Sequence, residues 1–482
     1  MFPAWILLVL LMCGHRRSQA AGDCPYKECG CIGTSIYCPS HGLTSMPIRY
    51  NINATGYLTL NLGSNHITEI PAGSLPPGLR ELSLIVNPIT TIDDNAFDDV
   101  SSTLESLYFI NAQFSRISNA FLHLDSLYYL MIVNTQILDW NIGAMTHLGE
   151  TLRILKLEQV GLSTWPVWLT DMENLSELNL ADNTISSIPD NAFDKASNSL
   201  LILSLSNNSL TAAPKSLVNL INLTTLDLQN NKISNITWLP QSKKLSSLSL
   251  NNNNISDADR LSSVLRTYTD SLSSLALSFN QLKVIPDLSS LVNLAFLDLS
   301  NNQIHDPNSG SAPNSTNEID FSFNLLPSIP KIYRDMPSVF MMFLSHNIIQ
   351  EVCGIDIPLW VTHLDLQYNL IAELNDTSFP VNSSLEELFL DNNPLNTISE
   401  LAFSNLAILD RLSLQNTKLT RLPLSLVYLT SITYINLNNN TGLVCTCAEK
   451  VVEKVSLYID LNGNCGDVNI YDFLANLSPS CP

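Results

Sequence analysis

The sequence predicts an α/β solenoid, with a curved parallel β-sheet on its concave side and short helical or irregular returns on its convex side. Three observations predict it. A unit of the form L-x-x-L-x-L-x-x-N-x-L recurs 17 times, successive units are 22 to 27 residues apart, and the cysteines cluster almost entirely at the two ends. A fixed period in that range marks a stack of identical supersecondary units, each of which can bury its apolar face only against its neighbours.

The elements follow in chain order. Phe2 to Cys13 is an apolar run too short to cross a bilayer, and Ser18-Gln19-Ala20 offers small residues for cleavage, so residues 1–20 read as a signal peptide. Residues 21–56 hold Cys24, Cys29, Cys31 and Cys38 and read as a disulfide-bonded cap. Residues 57–442 hold the repeats, and residues 443–482, with Cys445, Cys447, Cys465 and Cys481, read as a second cap. The spacings C-x4-C-x-C-x6-C and C-x-C-x17-C-x15-C lack the paired C-x2-C knuckles of a zinc ribbon, so disulfides in an oxidising compartment are expected rather than metal. No later segment is long and apolar enough to span a membrane and the chain ends without a hydrophobic tail, so the mature protein is expected to be soluble, secreted and extracellular.

Within the array, the anchors are Leu60, Leu82, Leu107, Leu130, Leu155, Leu178, Leu203, Leu226, Leu248, Leu275, Leu297, Ile319, Met342, Leu364, Leu388, Leu412 and Ile435. In L-x-L both leucines point the same way, as the two-residue period of a strand requires. The asparagine falls where the chain leaves the strand, and its amide can satisfy backbone groups left unpaired by that turn. Asn65, Asn87, Asn183, Asn208, Asn231, Asn253, Asn280, Asn302, Asn324, Asn347, Asn369, Asn393 and Asn440 form this ladder; Thr135 and Thr417 can stand in for part of it, Ala112 and Val160 cannot. Asp94–Phe97, Ser118–Phe121, Asp190–Phe193 and Glu400–Phe403 carry an Ala-Phe pair that packs inward from a helical turn. Ala258–Thr267 is the best helix candidate, and Asp306–Asn317 reads as an irregular loop.

These features resemble the animal extracellular leucine-rich repeat proteins, a group that includes Toll- and Slit-like ectodomains, matrix proteoglycans and the non-catalytic subunit of a crustacean luciferin monooxygenase. The period is that of a leucine-rich repeat solenoid. The block Cys24-Pro25…Cys29-Gly30-Cys31…Cys38 looks like that family's N-terminal cap and Cys445-Thr446-Cys447 with Cys465 and Cys481 like its C-terminal cap. The resemblance implies the pairs Cys24–Cys31, Cys29–Cys38, Cys445–Cys465 and Cys447–Cys481. One departure is that Ala448-Glu-Lys-Val-Val follows C-x-C, where the family usually carries a tryptophan.

Function is less legible. With 23 Lys and Arg against 44 Asp and Glu the net charge is -21, which repels phosphate backbones and excludes nucleic acid as a natural partner. No H-E-x-x-H, G-x-S-x-G, P-loop or dinucleotide fingerprint occurs, and His41, His66, His123, His147, His305, His346 and His363 share no ligand spacing, so neither an enzyme nor a bound cofactor is expected. His346, just before Asn347, reads as a solvated side chain. Eleven N-x-[ST] sequons, at Asn53, Asn174, Asn207, Asn222, Asn235, Asn254, Asn314, Asn375, Asn382, Asn439 and Asn476, suggest glycosylation, and none falls on the concave positions.

Side chains at −1, +1 and +3 from each anchor are expected on the concave surface. Ile85, Tyr108, Ile110, Tyr129, Met131, Val133 and Ile154 would form one apolar patch there. Phe296, Asp298, Glu318, Asp320, Met341, Phe343, His363, Asp365, Glu387, Phe389 and Asp391 would form a second, acidic one, with Asp298 and Asp320 about 4.8 Å apart on adjacent strands. Two roles are compatible with this surface: recognition of a protein, glycan or lipid ligand on the concave face, or a structural or carrier subunit that stabilises a partner. Cys353 is the odd cysteine, either a free half-buried thiol or the site of a covalent dimer.

Overall fold

The computed structural model describes residues 24–51, 55–453 and 460–475. The proposed signal peptide, Asn53, Asn476 and Cys481 lie outside the described residues. The chain divides into two compact units between Asn208 and Ser209.

In the first unit, the short strands Ser35–Tyr37, Thr59–Asn61, Glu81–Ser83, Ser106–Ile110, Tyr129–Val133, Ile154–Glu158, Glu177–Asn179 and Ile202–Ser204 form a parallel sheet. Their register aligns Ile36, Leu60, Leu82, Leu107, Leu130, Leu155, Leu178 and Leu203 in one row, each at most 1% exposed. In the second unit the same register runs from Thr225–Asp227 to Asp460–Asn462 and aligns Leu226 with Leu248, Leu275, Leu297, Ile319, Met342, Leu364, Leu388, Leu412, Ile435 and Leu461. All the sequence-derived anchors therefore lie in the strands, at the centre of each three-residue strand and second in the five-residue strands Ser106–Ile110, Tyr129–Val133 and Ile154–Glu158. The caps add one rung each, at Ile36 and Leu461, which the repeat pattern does not show because neither matches the consensus.

The asparagine ladder is built as expected. Asn302 Nδ2 donates to the carbonyls of Leu277 (3.0 Å), Leu299 (3.1 Å) and Ser300 (3.1 Å), while its Oδ1 accepts from Leu282 N at 3.0 Å. One amide thus satisfies groups in its own repeat and in the preceding one, which is what allows a turn to be buried. Thr135 keeps only part of this: its Oγ1 accepts from Ala112 N and donates to Val133 O, both at 3.1 Å. The three five-residue strands are those whose repeats carry Ala112, Thr135 and Val160. Their β-branched and aromatic residues Phe109, Ile110, Ile132 and Val133 favour extended backbone, so the strand continues where the amide that ends it is missing.

The residue before each ladder position has a feature the consensus hides. From Ser64 to Asn439, all 17 residues four past an anchor have φ between 48° and 62°. Asparagine is the commonest, as expected of left-handed backbone, and neighbours such as Asn111 and Asn134 bond side chain to side chain at 2.6 Å.

The returns vary. Phe97, Phe121, Phe193 and Phe403 are all buried. The helix candidate forms over Ala258–Leu265, with Asp257 accepting from Arg260 N at 2.8 Å as N-cap. A second helix, Ile142–Leu148, capped by Asn141, is not evident from periodicity because only Ala144, Met145 and Leu148 face inward. Residues 306–317 are irregular, with Gly310 at φ +70° packed so close to the Ile285 and Pro286 carbonyls that a Cβ would meet them within 2.6 Å.

Both ends are stapled. Cys24–Cys31, Cys29–Cys38 and Cys445–Cys465 are bonded, and Cys447 is disulfide-bonded too. The buried Glu449 anchors the C-terminal cap, through a capping box with Thr446 and through Arg421 of the preceding repeat.

Candidate functional site

The apolar residues of the first unit meet on one sheet face. Tyr108 stands opposite Met131, Ile110 opposite Val133 and Tyr129 opposite Ile154. The Tyr108 and Tyr129 rings pack at 5.0 Å with a 41° tilt. Together with Ile85, all seven side chains are half-buried rather than fully exposed, because neighbours 4.7–4.9 Å away cover their flanks. Desolvation, then Glu81 and other neighbours, pushes the Tyr108 hydroxyl up to about 12, and desolvation does the same for Tyr129, so both phenols are hydrogen-bond donors at neutral pH. Charge bounds the patch: Lys156 Nζ lies 2.7 Å from Glu177 Oε1, and Glu158 accepts from Asn179 at 2.8 Å. The strip is thus an apolar centre with a polar rim, the arrangement of an interface hot spot.

The second patch lies in the second unit. Asp298 stands opposite Asp320, Asp320 opposite Phe343, Phe343 opposite Asp365, and Asp365 opposite Phe389, so carboxylates and phenyl rings share one row. In the adjoining row Phe296, Glu318, Met341, His363 and Glu387 are in register, and His363 packs against Phe343 and Phe389, both at 5.1 Å, while its Nδ1 is 2.7 Å from Glu387 Oε2. Burial first, then the charges of Asp298 and Asp365, raises the Asp320 carboxyl, against the opposing hydrogen bonds from Ser322. Asp391 departs from expectation. It is 7% exposed, and its Oδ1 accepts from Ser413 Oγ (2.5 Å) and Gln415 N (2.6 Å). Here the strand ends at Phe389, so the +3 carboxylate lies past it, where the chain turns inward, and braces Ser413 and Gln415 of the next repeat in place of standing on the open sheet face.

His346 is not a solvated side chain. Its ring is stacked between Phe323 (4.0 Å) and Tyr368 (4.1 Å), each at 10°. Phe323, His346 and Tyr368 are successive members of the left-handed row, at φ 57°, 55° and 51°. A bulky residue there carries backbone strain of about 1–3 kcal/mol. The repeat consensus does not include this position, so sequence reasoning passed over the column; the signal was an aromatic residue just before the ladder asparagine in neighbouring repeats. Phe279 occupies the same position two repeats earlier, on a broad hollow of about 300 Å³ shared with Asn230 and Asn252.

Of the nine described sequons, Asn174, Asn207, Asn235, Asn254, Asn314, Asn382 and Asn439 are exposed, and Asn222 and Asn375 are half-buried. Cys353 is a half-buried free thiol, held protonated by burial and by the nearby Glu351 carboxylate. Among the described residues no three His, Cys, Asp or Glu side chains converge as a metal site, and no described helix is long and apolar enough to cross a membrane.

Comparison with known proteins agrees with this architecture. A family model described as leucine rich repeat matches residues 173–233, 361–419 and 383–441. The chain is 32% identical over 117 residues to mouse leucine-rich repeats and immunoglobulin-like domains protein 2, spanning 24% of this chain and 11% of that protein. It is 32% identical over 195 residues to chicken lumican, spanning 38% of this chain and 52% of lumican. The alignments thus span from a tenth to half of these relatives. Among solved structures, a leucine-rich repeat protein of Leptospira interrogans is similar over 92% of this chain and 93% of that one, with a TM-score of 0.52 at 22% identity. One from Bacteroides thetaiotaomicron is similar over 80% of this chain and 52% of its own, with a TM-score of 0.54 at 17% identity. Those likenesses concern the fold.

Proposed function

We propose that this leucine-rich repeat solenoid, stapled by cysteines at its ends, is a secreted glycoprotein that binds an extracellular protein and catalyses no reaction. The binding surface is the sheet face of the first unit, with Tyr108 and Tyr129 as its anchors. The observation that carries the reading is their pairing at 5.0 Å inside a half-buried apolar strip bounded by Lys156, Glu158 and Glu177. A soluble surface keeps such a strip small unless something covers it. The disulfides and the exposed sequons support an oxidising, glycosylating route, and no described sequon falls on the strip.

The test is recovery of the partner from the native source by affinity purification and mass spectrometry, followed by titration of the purified pair with Tyr108→Ala and Tyr129→Ala. Weakened binding with unchanged melting supports the reading. Wild-type affinity in both variants removes the site from this face. A partner that stays stoichiometric through size exclusion and loses its own stability when stripped away would instead favour the carrier-subunit role.

A further inference from the structure

The second unit has an exposed apolar ridge along the edge of its sheet. Phe323 and Tyr368 are 49% and 48% exposed, with the His346 ring stacked between them. Two residues further along each of these repeats stand Leu325, Ile348 and Leu370, at 48%, 40% and 48%. The buried asparagines Asn324, Asn347 and Asn369 lie between the two columns in sequence and fix both to the scaffold. Elsewhere the left-handed row is mostly asparagine, which accepts that backbone readily and bonds to its neighbours. Here three successive residues give up that fit for aromatic surface held in water. Strained backbone combined with exposed rings is a feature of ligand clamps, and nothing in the packing of the core requires it.

Charge identifies the occupant. On the same strands, three residues before Phe323 and Tyr368, lie Asp320 and Asp365, flanking Phe343 in register. Among the described residues no Lys, Arg or His forms an ion pair with Asp298, Asp320 or Asp365. A guanidinium over the Phe343 ring would meet a carboxylate on either side, one strand away. A second copy of this chain, with its net charge of -21, would be repelled.

We propose that this edge docks an extended basic segment of another protein, its apolar side chains on the Phe323–His346–Tyr368 ridge and its arginines at Asp320 and Asp365. The site is separate from the Tyr108–Tyr129 strip and stands or falls independently of it.

The full secreted protein is titrated by fluorescence anisotropy with a labelled 12-residue peptide alternating Arg and Leu, and with Arg–Ser and Glu–Leu counterparts. Only the Arg–Leu peptide should bind with an affinity that saturates. Phe323→Asn with Tyr368→Asn, which places the residue usual for this row at both positions, should weaken it at least tenfold without lowering the melting temperature. Asp320→Asn with Asp365→Asn should weaken it as much and flatten its salt dependence, whereas Tyr108→Ala should leave it unchanged. Equal binding of the Arg–Ser peptide would reduce the effect to net charge and overturn the proposal. So would wild-type affinity in the Phe323/Tyr368 variant, or a concentration-dependent dimer that this variant abolishes.

Discussion

Arg421 reaches one repeat forward to the buried carboxylate of Glu449, with Nε 2.5 Å from Oε1, and the other oxygen, Oε2, accepts from Thr446 N at 2.7 Å. Burial works against ionisation of Glu449, but the bonds from Thr446 and Arg421 outweigh it and hold the carboxyl below its usual range. A lowered folded value gives stability that is present above the ordinary glutamate pKa of about 4.3 and lost as pH falls through the folded value. Glu449→Gln should therefore cost about 1–3 kcal/mol at pH 7, towards the lower end because Arg421 is half in water. Thermal melts of both proteins at pH 7 and in strong acid check this: the gap should close in acid, and identical melting at pH 7 would remove Glu449 as the cap anchor.

Truncating Tyr108 or Tyr129 to Ala should weaken partner binding by about 2 kcal/mol or more, the hot-spot threshold. Each ring is half-buried on the far side of the sheet from the leucine core, so the stability loss should stay within about 1 kcal/mol, the usual worth of an aromatic pair. Calorimetric titration and melting of the same samples separate the two effects. A loss of binding that merely tracks a large drop in melting temperature would make the pair a folding element.

The ladder gives a sharper stability test. Asn302→Ala strips partners from the Leu277, Leu299 and Ser300 carbonyls and from Leu282 N. Each buried group left unpaired costs about 1–3 kcal/mol. The variant should be among the most destabilising point changes in the second unit, exceeding Asn301→Ala beside it, whose half-buried side chain donates to the Ser300 hydroxyl at 3.2 Å. Urea unfolding of the pair decides it, and equal midpoints would mean that water or backbone shifts repair the turn.

The core was legible because its signal is redundant. Every repeat restates the L-x-L spacing and the asparagine, so a weak unit such as Ile319 or Met342 is fixed by its neighbours. What the sequence hid lies outside the restated positions. The cap strands at Ile36 and Leu461 join the sheet through backbone bonds that any residue can make. The short helix Ile142–Leu148 inserts within a step of 25 residues, a length that the steps from Leu82 and from Leu178 also show without an α-helix. The candidate faces were readable where the two-residue alternation holds, at Tyr108 or Asp320, and misleading where the strand has ended, at Asp391. The Phe323–His346–Tyr368 column sits on left-handed backbone, where alternation has no meaning.

Cys353 should remain a free thiol. Burial and the neighbouring Glu351 raise its pKa, so little thiolate is present at neutral pH to attack a second cysteine. Non-reducing electrophoresis should show a monomer that labels slowly with iodoacetamide at pH 7 and faster at pH 9. A dimer band that disappears with Cys353→Ser would establish the covalent link instead.

Asp320 carries the opposite sign from Glu449. Burial, with Asp298 and Asp365 nearby, raises its carboxyl above the usual aspartate value. The ionised form is therefore disfavoured by folding. Its destabilising contribution is complete above the raised folded value and disappears below the unfolded value of about 3.9. Asp320→Asn keeps an oxygen to accept from Ser322 N, now 2.7 Å from Oδ1, and removes the charge. The variant should melt higher than the parent at pH 7, with the gain shrinking as pH is lowered through the acidic range. The same substitution should reduce capture of the Arg–Leu peptide, because the charge that costs stability in the empty protein is the one a guanidinium would answer. Melting curves from pH 3 to 7 and the peptide titration, on the same two proteins, test both halves together. A variant less stable than the parent at pH 7 would show that Asp320 is a structural brace, as Asp391 is, and that its charge is not held in reserve for a partner.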